Sequence, residues 1–128
     1  MIVVDTSIWV EFLKHRQAYF LSLSTLLDQQ QVVAVECVFG ELLQGTKTSR
    51  EQSIIVGYWT NLPKRSESGL WVQAGTLSAN HSWPSKGVGL IDAFLLCFVR
   101  AYDLQLWTLD KKLAAVAESS ELFHFPDT

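Results

Sequence analysis

Short apolar runs that alternate with helix-length segments constrain the fold of this chain most strongly. The runs are IVV at residues 2–4, QVVAV at 31–35 and QLWT at 105–108. Runs this short and this apolar are typical of parallel strands covered on both faces. Strands that alternate with helices predict a parallel sheet. We therefore expect an α/β fold, a three-layer α/β/α sandwich with a central parallel sheet of about four to five strands.

The remaining segments complete this predicted order. Two further strands are expected at residues 62–65 and 122–125, and Pro63 places the first of them at a sheet edge. Helices are expected at residues 7–14, 18–30, 37–43, 48–59, 68–82, 90–102 and 111–119. Thr6 or Ser7 is the expected N-cap of the first helix. Because 128 residues is the usual size of one domain, we expect a single domain over residues 1–128.

The overall charge argues against a general nucleic-acid binder. The net charge is −3, so attraction for a polyanion has to come from a local basic patch or from bound metal cations.

Cys37 and Cys97 lie in apolar surroundings, and no Cys/His spacing predicts zinc. We expect buried, reduced thiols and a cytoplasmic location. No membrane span is expected, because the longest apolar stretch, residues 88–99, contains Asp92 and is shorter than the ~20 residues needed.

Two carboxylates follow predicted strands directly. Asp5 ends the first run, and Asp110 comes just after QLWT. Open parallel sheets bind ligands outside the carboxyl ends of their strands. We therefore expect these two acids at the same edge of the sheet.

Further acids can join them at that edge. Glu36 and Glu41 follow the second strand, and Glu41 points toward the strand ends if its neighbours Val38 and Leu42 pack on the sheet. Asp92 lies at the start of the apolar helix of residues 90–102, where a carboxylate is costly unless it caps a helix, pairs or binds a cation.

A shared divalent metal explains such a cluster. Converging carboxylates repel one another and raise one another's pKa values unless a cation lies between them. Oxygen ligands favour Mg²⁺ or Mn²⁺, and no histidine is placed to favour zinc. A metal held by acids at a sheet edge indicates phosphodiester hydrolysis. Each acid alone also has an ordinary explanation, as a helix N-terminal residue or a solvated side chain.

Three segments resemble the PIN-domain ribonucleases, in particular the small bacterial and archaeal toxins of VapC type. They are VVDTSIWVEFL, ECVFGELLQG and GLIDAFLLCFVRAYDLQLWTLD. The resemblance covers essentially the whole chain, and its acids occur in the family's order. It implies a PIN fold and a Mg²⁺-dependent endoribonuclease acting on structured RNA such as tRNA or rRNA. It also implies a homodimer and a small cognate antitoxin protein.

The same resemblance assigns roles to individual residues. It implies a catalytic acidic pocket of four residues: Asp5, Glu41, Asp92 and Asp110. The metal ligands among them, directly or through water, would be Asp5, Asp92 and Asp110. Hydroxyl residues that support the pocket would be Thr6, Ser7 and Thr108. Helix capping and strand-end hydrogen bonding are an equal alternative for these hydroxyls.

Basic and aromatic residues each have two interpretations. Four cations lie in segments that could flank the pocket and are candidates for RNA-backbone contacts: Lys14, Arg16, Lys47 and Lys86. Lys111 and Lys112 replace the acid or aromatic found in many relatives, so the number of metals stays open. The lysines are either solvated or bound to phosphate.

Four rings belong either to the core or dimer packing, or to an antitoxin-binding groove: Trp9, Phe12, Phe20 and Trp59.

Two other functions share features with this sequence. A catalytically weak PIN scaffold that binds RNA or protein is the main alternative, and the full acid set argues against it. A haloacid-dehalogenase-like phosphatase needs a second Asp two residues after the first, where this chain has Ser7.

Overall fold

Three parallel strands form the sheet, in the order β2–β1–β3. A computed structural model describes residues 1–125 and places β1 at Ile2–Val4, β2 at Val32–Val33 and β3 at Gln105–Trp107. The central strand β1 pairs with β2 on one side and with β3 on the other. All three residues of β1 are buried, and successive side chains of a strand point to opposite faces. Both faces of β1 are therefore covered, and the predicted α/β class with a parallel sheet is confirmed.

Helices account for most of the remaining structure. Within residues 1–125 there are seven α-helices: α1 (Thr6–Leu13), α2 (Gln17–Asp28), α3 (Glu36–Gln44), α4 (Ser49–Asn61), α5 (Leu70–Asn80), α6 (Leu90–Tyr102) and α7 (Lys111–Val116). Short 3-10 helices lie at Trp83–Lys86 and Ser119–Glu121. The predicted helix over residues 68–82 was too long, because Gly69 has a φ of 76° and α5 begins only after it. The helix predicted over 111–119 ends at Val116, where the chain becomes extended.

The helix α6 forms the centre of the core. Residues 93–99 are all buried, which matches a sequence that is apolar on every side of the helix. The helix packs along α5 and leads almost directly into β3. None of the helices in the described part of the chain is long and apolar enough to cross a membrane.

The expected count of four to five strands was wrong, since the sheet of the described residues has three. At residues 62–65 the Pro63 carbonyl accepts one hydrogen bond from the Ala34 N–H, at 2.9 Å. Proline has no N–H to return, so the contact does not extend into a ladder. At residues 122–125 there is a single bridge between Leu106 and Leu122, in which the Phe123 N–H donates to the Leu106 carbonyl at 2.9 Å.

The aromatic residues near the N-terminus belong mostly to the core. Trp9 and Phe12 are buried, which confirms the core interpretation for these two and excludes them from a surface groove. Phe20 and Trp59 are partly buried and pack against the same core. Both cysteines are free; Cys97 is buried but Cys37 is only partly so, contrary to expectation. Burial is the main cause that raises the pKa of Cys37 to about 12, so its thiol stays protonated.

Parallel pairing brings the carboxyl ends of all three strands to one edge. Asp5 follows β1, and its backbone N–H donates to the Trp107 carbonyl at the end of β3, at 2.9 Å. Asp5 is also the N-cap of α1, in place of the predicted Thr6 or Ser7. The first helix therefore starts at the residue immediately after the strand edge.

Candidate active site

The carboxylate of Asp5 is held by three donors at the carboxyl end of β1. Its Oδ1 accepts the Thr6 backbone N–H at 2.7 Å. Its Oδ2 accepts the hydroxyls of Thr108 at 2.7 Å and Ser7 at 3.3 Å. Asp5 is only 7% exposed, and these bonds offset the cost of burying a charged group. Since Thr108 follows β3, its bond joins the ends of two adjacent strands.

Asp110 is tied to the same network through Thr108. The Asp110 N–H donates to the Thr108 hydroxyl at 3.0 Å, and the Leu109 N–H donates to the Ser7 hydroxyl at 3.2 Å. The Asp110 carboxylate caps α7, because its Oδ1 accepts two backbone N–H groups of the first turn, at 2.9 and 3.1 Å. The turn after β3 is therefore fixed against the turn after β1.

Glu41 reaches this edge from α3. The Thr6 hydroxyl donates to its Oε1 at 2.7 Å. Its neighbours Val38 and Leu42 are buried in the core, which is the helix orientation that the sequence argument required. Glu36 is placed differently: its backbone N–H donates to the Glu67 carboxylate at 2.9 Å, and no hydrogen bond among residues 1–125 connects it to Asp5.

Asp92 lies in the first turn of α6 and is electrostatically coupled to the other acids. Partial burial and the negative charges of Asp110 and Asp5 raise the pKa of its carboxyl to about 6. Glu41 adds a smaller repulsion, and a hydrogen bond from the Gly89 backbone opposes the rise. This repulsion indicates that Asp92 lies within electrostatic range of the other three acids. Hydrogen bonds join three of them, and Asp92 approaches without bonding to them.

Replacing Asp92 with Asn is expected to stabilise the metal-free protein above pH 6. The folded pKa of about 6 exceeds the ordinary 3.8, so wild-type stability falls as the pH rises from 3.8 to 6 and stays lowered above that window. The gain should be about 1 kcal/mol, because water screens a half-buried group. Urea unfolding with EDTA, at about pH 7.5 and about pH 4, measures it.

The control for this prediction is Asp103→Asn, at an exposed position with a φ of 53° that suits both residues. We expect no pH-dependent gain there. A gain for Asp92→Asn that is equal at both pH values would contradict the electrostatic explanation.

The donor set fits a hard divalent cation held by few direct ligands. Within residues 1–125 no three Asp, Glu, His or Cys side chains converge closely enough to hold a metal ion, so Asp5, Asp92 and Asp110 are not a ready-made ligand set. Mg²⁺ usually takes one or two carboxylates and keeps several waters. The two ion pairs found in this part of the chain involve Glu11 and Glu121, so neither neutralises the four acids. Carboxylate oxygens without a basic partner suit a cation.

The four predicted RNA-contacting residues lie in different surroundings. Lys14 lines a groove that also contains Glu41, whereas Lys86 lines a separate cleft. Arg16 pairs with Glu11 at 3.7 Å. The backbone N–H of Lys47 donates to the Glu51 carboxylate at 2.8 Å.

Sequence reasoning did not identify the backbone donors of the site. The Leu109 N–H holds the Ser7 hydroxyl, and the Gly89 backbone bonds to Asp92. Every residue type except proline carries such a donor, so no sequence signal was available to find them.

Residues 2–119 match the model of the PIN domain. A search of the curated proteins found no match. The matched range includes all four acids and the three hydroxyl residues of the network described above. This chain belongs to the PIN domain family.

Proposed function

We propose that this protein is a Mg²⁺-dependent endoribonuclease that cleaves structured RNA such as tRNA or rRNA, with Mn²⁺ able to substitute. PIN domains are typically nucleases and generally use divalent metal ions. The observation that supports the proposal is the hydrogen-bonded network that connects Asp5, Glu41 and Asp110 at the carboxyl edge of the sheet. Asp92 lies near it, since burial and then the charges of Asp110, Asp5 and Glu41 raise the pKa of Asp92. We further propose that it is the toxin of a VapC-type toxin–antitoxin pair and acts in the cytoplasm.

Each acidic residue of the site has its own proposed role. Asp5, Asp92 and Asp110 would hold the ion, directly or through water. A bound divalent ion supplies positive charge to the scissile phosphate and lowers the pKa of bound water. Asp5 is fixed by its three hydrogen bonds, so the chain sets its position before any ligand binds. Glu41 accepts a hydrogen bond from the Thr6 hydroxyl and would orient the attacking water.

Cleavage of RNA by the purified protein should require a divalent cation. We expect transcribed tRNA to be cut with Mg²⁺ or Mn²⁺, to remain intact with EDTA, and to be cut again when excess Mg²⁺ is restored. Gel analysis of end-labelled RNA measures this. Cleavage that persists in EDTA would contradict the proposal, as would intact RNA with both metals.

One observation favours a second candidate, a catalytically weak PIN scaffold that binds RNA or protein. In the described residues no three metal-binding side chains converge. The same assay separates the two functions, because a scaffold binds the RNA and leaves it intact with either metal.

An antitoxin segment would occupy the groove between α1, α3 and α4. The groove has a volume of about 350 Å³ and is lined mainly by apolar side chains: Val10, Leu13, Leu42, Ile54 and Ile55. Thr6 and Glu41 also line it, so an occupant would reach one of the proposed catalytic acids, Glu41. A small neighbouring gene whose product co-purifies with this protein would support the toxin role. Its absence would leave the nuclease proposal standing.

We also propose a homodimer. Trp71 and Val72 lie on α5 with 38% and 77% of their surfaces exposed, and large exposed apolar side chains favour burial in an interface.

A further inference from the structure

A basic cleft lies between the 3-10 helix Trp83–Lys86, the end of α6 and α7. Its volume is about 790 Å³. Its cationic lining residues are Lys86, Arg100, Lys111 and Lys112. Glu118 is the one acid among its described lining residues. The chain as a whole has a net charge of −3, so this is a local reversal of sign.

The three lysines are available to a ligand. Lys86, Lys111 and Lys112 are exposed, and none of them forms an ion pair within residues 1–125. Arg100 has a different role, because both of its hydrogen bonds go to the Glu121 carboxylate and its guanidinium lies 5.7 Å from the centre of the Trp83 ring. The arginine therefore connects Glu121 with the Trp83 ring in one wall of the cleft, while the ammonium groups of the lysines have no acidic partner among residues 1–125.

Lys112 connects the two walls of the cleft. A Cβ at Gly87 would lie 2.8 Å from Lys112 Cδ and 3.2 Å from its Nζ, so the lysine side chain passes directly over this glycine. Gly87 has a φ of 81°, which favours glycine. The ammonium group of Lys112 thus lies beside the loop that leads into α6.

Both walls continue into segments that carry catalytic acids. On one wall, Lys111 directly follows Asp110. On the other, the loop after Lys86 leads through the Gly89 N-cap to Asp92 in the first turn of α6. A polyanion that reaches these two acids can therefore contact the lysines of the cleft next to them.

We propose that this cleft binds backbone phosphates of the RNA strand flanking the scissile phosphate. The inference rests on the proposed nuclease function. Lysine ammonium groups contact phosphates without reading sequence, so they position the strand and leave base selection to other contacts. The cleft supplies the local attraction for RNA that the net charge of the protein does not give.

Salt-dependent RNA binding tests the cleft. The Lys111→Gln/Lys112→Gln pair is made in an Asp92→Asn background, and binding of a short fluorescein-labelled single-stranded RNA is followed in EDTA from about 50 to about 200 mM salt. The slope of log K against log salt should become shallower by about 1.4, or about 0.7 per lost phosphate contact. Lys86→Gln, on the opposite wall, should make the slope shallower by about 0.7.

The matched control is Arg50→Gln/Lys64→Gln, which removes two positive charges outside the cleft. Gln removes the charge, stays polar and keeps the Cβ and Cγ methylene groups of lysine, and circular dichroism checks that each variant is folded. An effect of the cleft variants no larger than that of the control would overturn the proposal. Binding of polyglutamate to the same variants is measured as a second probe. If the cleft variants lose polyglutamate binding while the RNA slope stays unchanged, the proposal is also overturned, and the cleft is assigned to an acidic protein segment.

Failure of the cleft proposal can be distinguished from failure of the nuclease proposal. If wild-type protein cuts RNA with Mg²⁺ but the slope does not change, the cleft proposal fails and the nuclease proposal stands. If the slope changes and no RNA is cut with either metal, the cleft proposal stands and the nuclease proposal fails.

Discussion

Asp5→Asn is expected to reduce Mg²⁺-dependent RNA cleavage by about a hundredfold or more. The substitution removes the negative charge and replaces one carboxylate oxygen with an NH₂ group, which cannot accept a hydrogen bond. The Thr6 N–H bonds to one oxygen of Asp5, and the Ser7 and Thr108 hydroxyls bond to the other, so at least one contact of the strand-edge network is lost. Initial cleavage rates at saturating Mg²⁺ measure the effect.

Two Asp→Asn controls separate this effect from the general loss of a charge. Asp28, at the end of α2, and Asp103, after α6, are exposed. Both variants should cut RNA at nearly the wild-type rate. If Asp5→Asn cuts at a rate similar to these controls, Asp5 does not serve catalysis.

Trp9→Ala is expected to lower the free energy of unfolding by about 3–5 kcal/mol. Trp9 is 1% exposed, and its ring centroid lies 5.7, 5.4 and 5.3 Å from those of Phe12, Phe39 and Tyr58. The substitution removes these contacts and leaves a cavity in a domain whose total stability is of the order of 5–15 kcal/mol. Urea unfolding followed by circular dichroism measures the change.

Leu21→Ala is the control for this loss of stability. Leu21 is 59% exposed on α2, so its truncation should change stability by no more than about 0.5 kcal/mol. A similar small change for Trp9→Ala would contradict the proposed role of the aromatic cluster in the core. Because Trp9 lies on the helix that Asp5 caps, we also expect Trp9→Ala to lower activity as the protein loses structure.

Helix α6 was predicted with its observed bounds. Its apolar residues continue without a break, and Gly89 before it and Asp103 after it mark its two ends. Asp103 takes a left-handed conformation there, with a φ of 53°. The helix is long, so its pattern is strong enough to determine both ends.

The strand count could not be predicted because pairing depends on neighbours distant in sequence. The QVVAV run was expected to form a strand over residues 31–35, yet only Val32 and Val33 pair with β1. Ala34 instead donates to Pro63, which cannot return a bond. A local apolar pattern identifies a buried segment but does not state how many ladder bonds the segment makes.

The acidic residues of the candidate site were easier to find than the basic ones. Asp5 and Asp110 follow strands, and the carboxyl ends of parallel strands share an edge whatever the details of the sheet. Arg100 and Lys86 belong to separate elements, and only the packing of the 3-10 helix, α6 and α7 brings them into one cleft. In the sequence such cations resemble ordinary solvated residues.

The hydrogen bond from Thr108 to Asp5 joins residues that lie 103 positions apart. During translation, β1 is therefore made long before β3 can pair with it. The acidic cluster stays incomplete over that interval, because Asp5 lacks its Thr108 partner and Asp110 has not yet been added. For a protein proposed to cut RNA, this order of synthesis delays any cleavage until residues 105–110 have been made.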